Sequence, residues 1–299
     1  MPPVSLPDEV RAACAWVMER ARSVAIDEEA IGAYAAELPA PEPAGEQPVG
    51  DPEAAAAFAI CMNAINFGSG WWPTVRKRPG MSGYSTMAAG VGEGHWTPQE
   101  LLAMDAPAIA AVLGQEPGHP LMAEFAAALR DVGAHLLDEY GGRYLAVPEA
   151  ADSVPGLAAV FAGWDSFADV YAYEGREVPF FKRAQLAAAD LHRAGVARLP
   201  GAERLTAFAD NLVPHVLRLD GVLRLDPDLT AAIEAGTLLA HGSPEEVELR
   251  AAAVHAVELL AAAAGGALSA AEIDSALWNR GRGRRYKSVP RPRSRNTAY

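Results

Sequence analysis

Phe180-Phe181-Lys182-Arg183-Ala184-Gln185, a helical pattern on to Asp190, a loop with Pro200-Gly201, and then Thr206-Ala207-Phe208-Ala209-Asp210-Asn211-Leu212-Val213-Pro214 form the stretch on which the reading of this chain turns. Placed on a helix, Phe181, Ala184, Ala188 and Leu191 make an apolar stripe. Lys182 and Gln185, three apart, point together, as do Arg183 and Asp190, seven apart. Asp210 leaves an apolar sequence at or near the start of a second helix, and a carboxylate there is costly unless it is paired or functional. Two readings stand side by side. In one, Arg183 and Asp190 are a solvated pair and Asp210 is an N-cap or a buried partner of Lys182. In the other, the stretch is a catalytic helix pair.

Upstream, Tyr171 to Phe180 alternates about a turn at Gly175, the pattern of a small hairpin. His119-Pro120 opens a long amphipathic helix that ends at Gly141-Gly142. Thr97-Pro98-Gln99-Glu100 fits a capping box, and Asp51-Pro52-Glu53 starts a helix through Ala64. The run from Asn63 to Pro73 is too rich in glycine and aromatics for a regular helix. Val75–Lys77 and Gly83–Ala89 read as short strands around Pro79-Gly80, and Gly90 to Gly94 as a flexible loop. The rings of this region are either a lid on the core or a stacking surface for a flat ligand. Residues 7 to 38 read as two short helices, started at Pro7-Asp8 and capped by Asp27, and Pro39 to Pro52 as a loop within one domain.

Downstream, Asp220 to Leu239 reads as two short helices. Ser243-Pro244-Glu245-Glu246 is a strong helix start, and that helix runs to about Ala264. On it Glu248 and His255 share a face, with Glu248 read as structural. Ser269 to Trp278 is the last helix. The sum is a mainly α single domain over residues 1–299 with room for one β-hairpin. Residues 1–50 supply N-terminal helices and a proline-rich loop, and 280–299 a basic tail packed on the domain.

Half of the 299 residues are apolar, enough for a substantial core. The formal charge is −13, yet eight of the 25 cations lie in the last twenty residues, which hold no acid. The remaining body is therefore strongly acidic and repels a long nucleic acid, while the tail suits one phosphate or a short polyanion. A phosphate-bearing small ligand is the expected partner, with no obligate protein partner evident. Cys14 and Cys61 are isolated, as befits a reducing cytoplasm. Neither a signal peptide nor a membrane span is legible. Nucleotide-loop, zincin and nucleophile-elbow motifs are absent, and the seven histidines show no metal spacing, so neither metal nor cofactor is expected.

Phe180 to Gln185, Phe208 to Pro214 and Gly242 to Arg250 together resemble the queuosine salvage proteins, which are queuosine 5′-phosphate N-glycosylases (hydrolases). The likeness extends to Asn63-Ala64-Ile65-Asn66-Phe67, Ser82-Gly83-Tyr84, Tyr173-Glu174-Gly175 and the closing Arg293-Ser294-Arg295 before Tyr299. Matches in this order span residues 60 to 299. One departure is Asn211, where many relatives carry an aromatic. The resemblance implies an all-helical fold similar to helix-hairpin-helix DNA glycosylases, and hydrolysis of queuosine 5′-monophosphate to queuine without metal or organic cofactor.

Such cleavage passes through a ribosyl oxocarbenium ion, which a carboxylate near C1′ stabilises. On this likeness Asp210 is the expected catalytic group and Lys182 its assistant. Phe67, Trp72 and Tyr84 are candidates to sandwich the base, with Asn66 reading its edge. Gln185 and His215 are further expected substrate contacts, and Arg293 and Arg295 are expected on the 5′-phosphate. The competing expectation is a helical RNA-binding module without catalysis.

Overall fold

A computed structural model describes residues 4–39, 50–94 and 96–299. The expected loop at Pro39 to Pro52 falls largely outside the described residues. Among them, fifteen α-helices, three short 3-10 turns and two small two-stranded antiparallel sheets make up the regular structure, as expected of a mainly α chain.

The caps written in the sequence set many helix starts. Thr97 and Ser269 close reciprocal capping boxes with Glu100 and Glu272, and Ser153, Asp226 and Ser243 each accept a backbone N–H three residues on. Each such cap contributes about 1 kcal/mol. The hairpin also forms where alternation places it, Val170–Tyr173 against Arg176–Pro179, with Tyr171 opposite Val178. Glu174 (φ 45°) and Gly175 (φ 79°) fill its two-residue turn, both in the left-handed region that such a tight connection demands.

Four expectations are corrected. The helix read from Ser269 to Trp278 is not the last: Ala270–Gly281 is followed by a short helix, Arg284–Lys287, within the basic tail. Gly83–Ala89 is not a strand: Ser82 caps a helix, Gly83–Glu93, and Val75–Lys77 lies in irregular chain before it. Nor is Gly90 to Gly94 a flexible loop, since most of it belongs to that helix. A Cβ at Gly90 would come within 2.8 Å of Leu113 Cδ2, so glycine lets the helix approach Ala106–Leu113 closely. Within the span read as two helices, Leu223–Leu225 is a strand paired antiparallel with Val24–Ile26, and only Pro227–Glu234 is helical.

Helix Pro244–Ala263 joins two clusters of buried side chains. Val247, Ala251 and Val254 face the larger, with Ile60, Phe125 and Phe161. Leu249, Ala253 and Val257 face the smaller, with Ile31, Val216 and Leu277. A helix enclosed on both sides buries its charges too, so each requires a partner. Glu248 takes the Tyr173 hydroxyl at 2.9 Å and the Arg22 and Ser23 N–H groups, a structural role as read from sequence. Glu246 takes the Asn296 amide at 2.9 Å and the Tyr299 hydroxyl, which fastens the tail to the body.

Candidate active site

A cavity of about 1290 Å³ opens where five segments meet. These are the loop after Pro52–Ala64 with the start of Gly83–Glu93, one face of Lys182–Arg193, the segment around Asp210, the end of Pro227–Glu234, and Ala270–Gly281 with the tail after it. A smaller hollow of about 440 Å³ near Ala35 and Ala264 is lined mainly by alanine, glycine and leucine and offers no chemistry.

Lys182 is delivered by an unusual helix entry. Phe181 adopts φ 48°, a left-handed conformation that costs a non-glycine residue roughly 1–2 kcal/mol. It therefore precedes the helix rather than joining its apolar stripe. The carboxylate of Asp169 accepts the Lys182 N–H at 2.9 Å in place of an ordinary cap. The Lys182 side chain is buried, and its Nζ donates to the Asn66 carbonyl at 3.1 Å. Burial lowers its pKa to about 8, and the charge of Asp210 is the largest influence opposing that fall.

Asp210 divides its carboxylate between structure and cavity. Oδ1 accepts the N–H groups of Leu212 at 2.7 Å and Val213 at 3.1 Å, ahead of helix Val213–Leu219. Oδ2 makes no hydrogen bond among the described residues, and Asp210 borders the cavity. The capping role and a chemical role are therefore compatible on one side chain.

Three further carboxyls line the cavity; one, Glu234, is paired with Arg218 at 2.9 Å. Asp274, on Ala270–Gly281, is buried and accepts the Phe208 N–H at 2.9 Å. Burial, reinforced by the Asp210 charge, holds its carboxyl well above the usual range and favours the protonated form. Sequence reasoning passed it over. The available signal was an acid set among Ala270, Ala271, Ile273 and Leu277, on a helix whose cap is already supplied by Ser269. Asp190 is likewise raised, by burial in the cavity wall. It accepts from Asn63 Nδ2 at 2.9 Å and pairs with Arg193 at 3.1 Å.

The solvated pair of Arg183 and Asp190 does not exist. Arg183 is buried, its guanidinium donating to the carbonyls of Ala64 (2.6 Å), Ala298 (3.2 Å) and Ser166.

Asn66, Phe67, Trp72, Tyr84 and Arg293 border the same cavity as Lys182 and Asp210. Tyr84 meets the indole of Trp278, also in the wall, edge-on at 5.7 Å. Phe67 is 2% exposed and packs edge-on to Phe125 at 5.0 Å, so it is part of the core as well as of the wall.

The remaining three expected contacts lie elsewhere. Gln185 is occupied by Thr206 and the Phe180 carbonyl, and so ties the two halves of the central stretch together. His215 is buried with Nε2 at 2.9 Å from the Tyr286 carbonyl. Arg295 is exposed, over the Trp71 ring at 5.8 Å.

The tail instead brings Arg291 to the cavity beside Arg293. Burial lowers the Arg291 pKa, and Asp210 acts against that shift. Between the two arginines the Pro292 carbonyl accepts from Asn211 Nδ2 at 2.7 Å. The position that departs from the family pattern thus anchors the tail.

A family model described as queuosine salvage protein matches residues 46–299. A queuosine 5′-phosphate N-glycosylase/hydrolase from Sphaerobacter thermophilus is 32% identical over 308 residues, covering 95% of each chain. Proteins of the same description from Dictyostelium discoideum and Bos taurus are 32% and 33% identical over 184 and 147 residues. Those alignments cover 57% and 47% of this chain, and 56% and 43% of the relatives.

Proposed function

This chain belongs to the queuosine salvage protein family, and on that premise we propose that its cavity hydrolyses the N-glycosidic bond of queuosine 5′-monophosphate and releases queuine. The observation that carries the reading is that Asp210, Lys182 and the arginines Arg291 and Arg293 border one cavity.

As the C1′–N bond breaks, its electron pair leaves with the base and positive charge grows on the ribose. The Asp210 carboxylate faces that charge through Oδ2, orients the attacking water, and takes the proton the water loses when it bonds to C1′. Asp274, whose protonated form is favoured, is the donor on the side of the departing base. Lys182 assists with its ammonium beside Asp210 and the sugar. Trp72, Tyr84 and Trp278 hold the flat base, with Asn66 at its edge. Arg291 and Arg293 take the 5′-phosphate as charge-assisted donors. This reading treats residues 1–299 as one catalytic domain.

The RNA-binding alternative needs a basic tail free to meet a polyanion. Here Asn296 and Tyr299 are bonded to Glu246, and Asn211 holds Pro292. Incubation with queuosine 5′-monophosphate, followed by chromatography for free queuine, tests the reading.

A further inference from the structure

Asp169 and Arg250 do not border the cavity, yet they connect its two chemical segments. Arg250 donates from Nη1 and Nη2 to the two carboxylate oxygens of Asp169 at 2.7 and 2.8 Å, and from Nε to the Ala209 carbonyl at 2.9 Å. Ala209 immediately precedes Asp210. Asp169 in turn accepts the Lys182 N–H on its carboxylate at 2.9 Å and the Phe180 N–H on its carbonyl at 2.9 Å. One planar guanidinium and one carboxylate thus span the whole path from the backbone of Lys182 to the backbone before Asp210.

We propose that Asp169 and Arg250 are a positioning pair that sets how Lys182 and Asp210 face one another, an inference that rests on the glycosidase reading above. Stability alone does not account for the pair. Taking both ions out of water costs about as much as their attraction returns, and apolar side chains of similar volume are often equally stable. Apolar side chains cannot, however, hold the Ala209 carbonyl at a fixed offset from the Lys182 N–H.

The surroundings leave the guanidinium little freedom. It is 1% exposed and lies 4.1 Å from the Phe180 ring, 4.6 Å from Tyr299 and 5.1 Å from Tyr171. The left-handed Phe181 sits at the same junction, where the hydrogen bonds of Asp169 hold it against its own preference.

Two variants test the pair. Arg250→Lys keeps a cation beside Asp169, but its compact ammonium cannot bond both carboxylate oxygens and the Ala209 carbonyl in one plane. Asp169→Asn with Arg250→Met keeps an acceptor for the Lys182 N–H and fills the space without charge. Queuine release is measured per folded molecule, with the folded fraction taken from circular dichroism. The expected result for each is a kcat lowered roughly 10- to 100-fold with KM within about threefold, because a misplacement of about 1 Å acts on the reacting geometry. The double variant is expected to melt near the wild type while remaining slow.

Lysine NMR supplies a readout that needs no turnover. Lys182 is faced by Asp210 and Asp274 as acids and by Arg183 and Arg250 as cations, and its own charge acts on Asp190. Arg250→Lys preserves every one of these charges, so a moved Lys182 titration there reports moved geometry. If wild type releases no queuine, the glycosidase reading fails, and an unmoved titration in Arg250→Lys would overturn the positioning pair separately. If wild type does release it, a variant that folds and keeps the wild-type kcat overturns the pair and leaves the reading standing.

Discussion

Asp274 and Asp210 border the same cavity, and burial together with the Asp210 charge raises the Asp274 carboxyl well above the ordinary range. One acid is thereby biased toward its protonated form beside another that presents an unbonded oxygen. That is the division of labour a glycosidic cleavage requires.

Asp274→Asn separates the proton from the hydrogen bond, because asparagine still accepts the Phe208 N–H. Above pH 3.8 the unfolded chain loses a proton that folded Asp274 retains, so the stability it contributes declines as pH rises from there. The variant is therefore expected to match wild type near pH 4 and to melt higher at pH 7. Its queuine release is expected to fall at least about 10-fold, as removal of a general acid does. Paired thermal melts and rate measurements at the two pH values check both signs.

Lys182→Met trades activity for stability. The folded pKa is depressed from 10.5 to about 8, so at pH 7 the wild type bears a burial penalty that is relieved as pH rises from about 8 to 10.5. By 1.36 kcal/mol per pKa unit the gain from removing it is at most about 3 kcal/mol at pH 7, shrinking over that window. Wild-type kcat is expected to decline as pH rises through about 8, where the ammonium is lost. Lys182→Met is expected to be slow throughout and to lack that limb in its pH–rate profile.

Arg291→Ala and Arg293→Ala should each raise KM for queuosine 5′-monophosphate by roughly 10- to 100-fold, the value of a charged hydrogen bond. Cleavage of the unphosphorylated nucleoside, if it is measurable, should not change. Arg295→Ala, at an exposed position over Trp71, should leave both substrates unaffected. Steady-state kinetics with the two substrates separates the three arginines.

Gly83→Ala probes the base-binding wall. Its Cβ would lie 2.9 Å from Cδ2 of Trp72, so the indole must move. A raised KM with a nearly unchanged melting temperature is expected, and tryptophan fluorescence should report the displaced ring.

Local chemistry made much of the fold legible. Ser243 and Ser269 announce their helices through side chain to backbone bonds within three residues, and Glu174-Gly175 announces the hairpin through its turn. Val24–Ile26 could not be read in the same way, because its partner Leu223–Leu225 is about two hundred residues away and each strand has only three residues. Gly83–Glu93 misled because its alternating small and apolar residues fit a strand, whereas the Ser82 cap and the close approach to Leu113 favour a helix. At the cavity, the crowded chemistry around Lys182 and Asp210 was visible. Asp274 and Trp278 lay inside a plainly capped helix, and their surroundings depend on tertiary packing against Phe208 and Tyr84.

The central claim is that the Asp210 carboxylate carries glycosidic hydrolysis, and Asp210→Asn isolates it, since the amide oxygen can still accept from Leu212 and Val213. The measurement is single-turnover release of queuine from queuosine 5′-monophosphate by wild type and by this variant, both verified as folded. Wild type is expected to convert the substrate fully, and Asp210→Asn to be slower by roughly 10³-fold, the scale on which a group stabilising the transition-state charge acts. No queuine from wild type, or equal rates from the two proteins, would contradict the account.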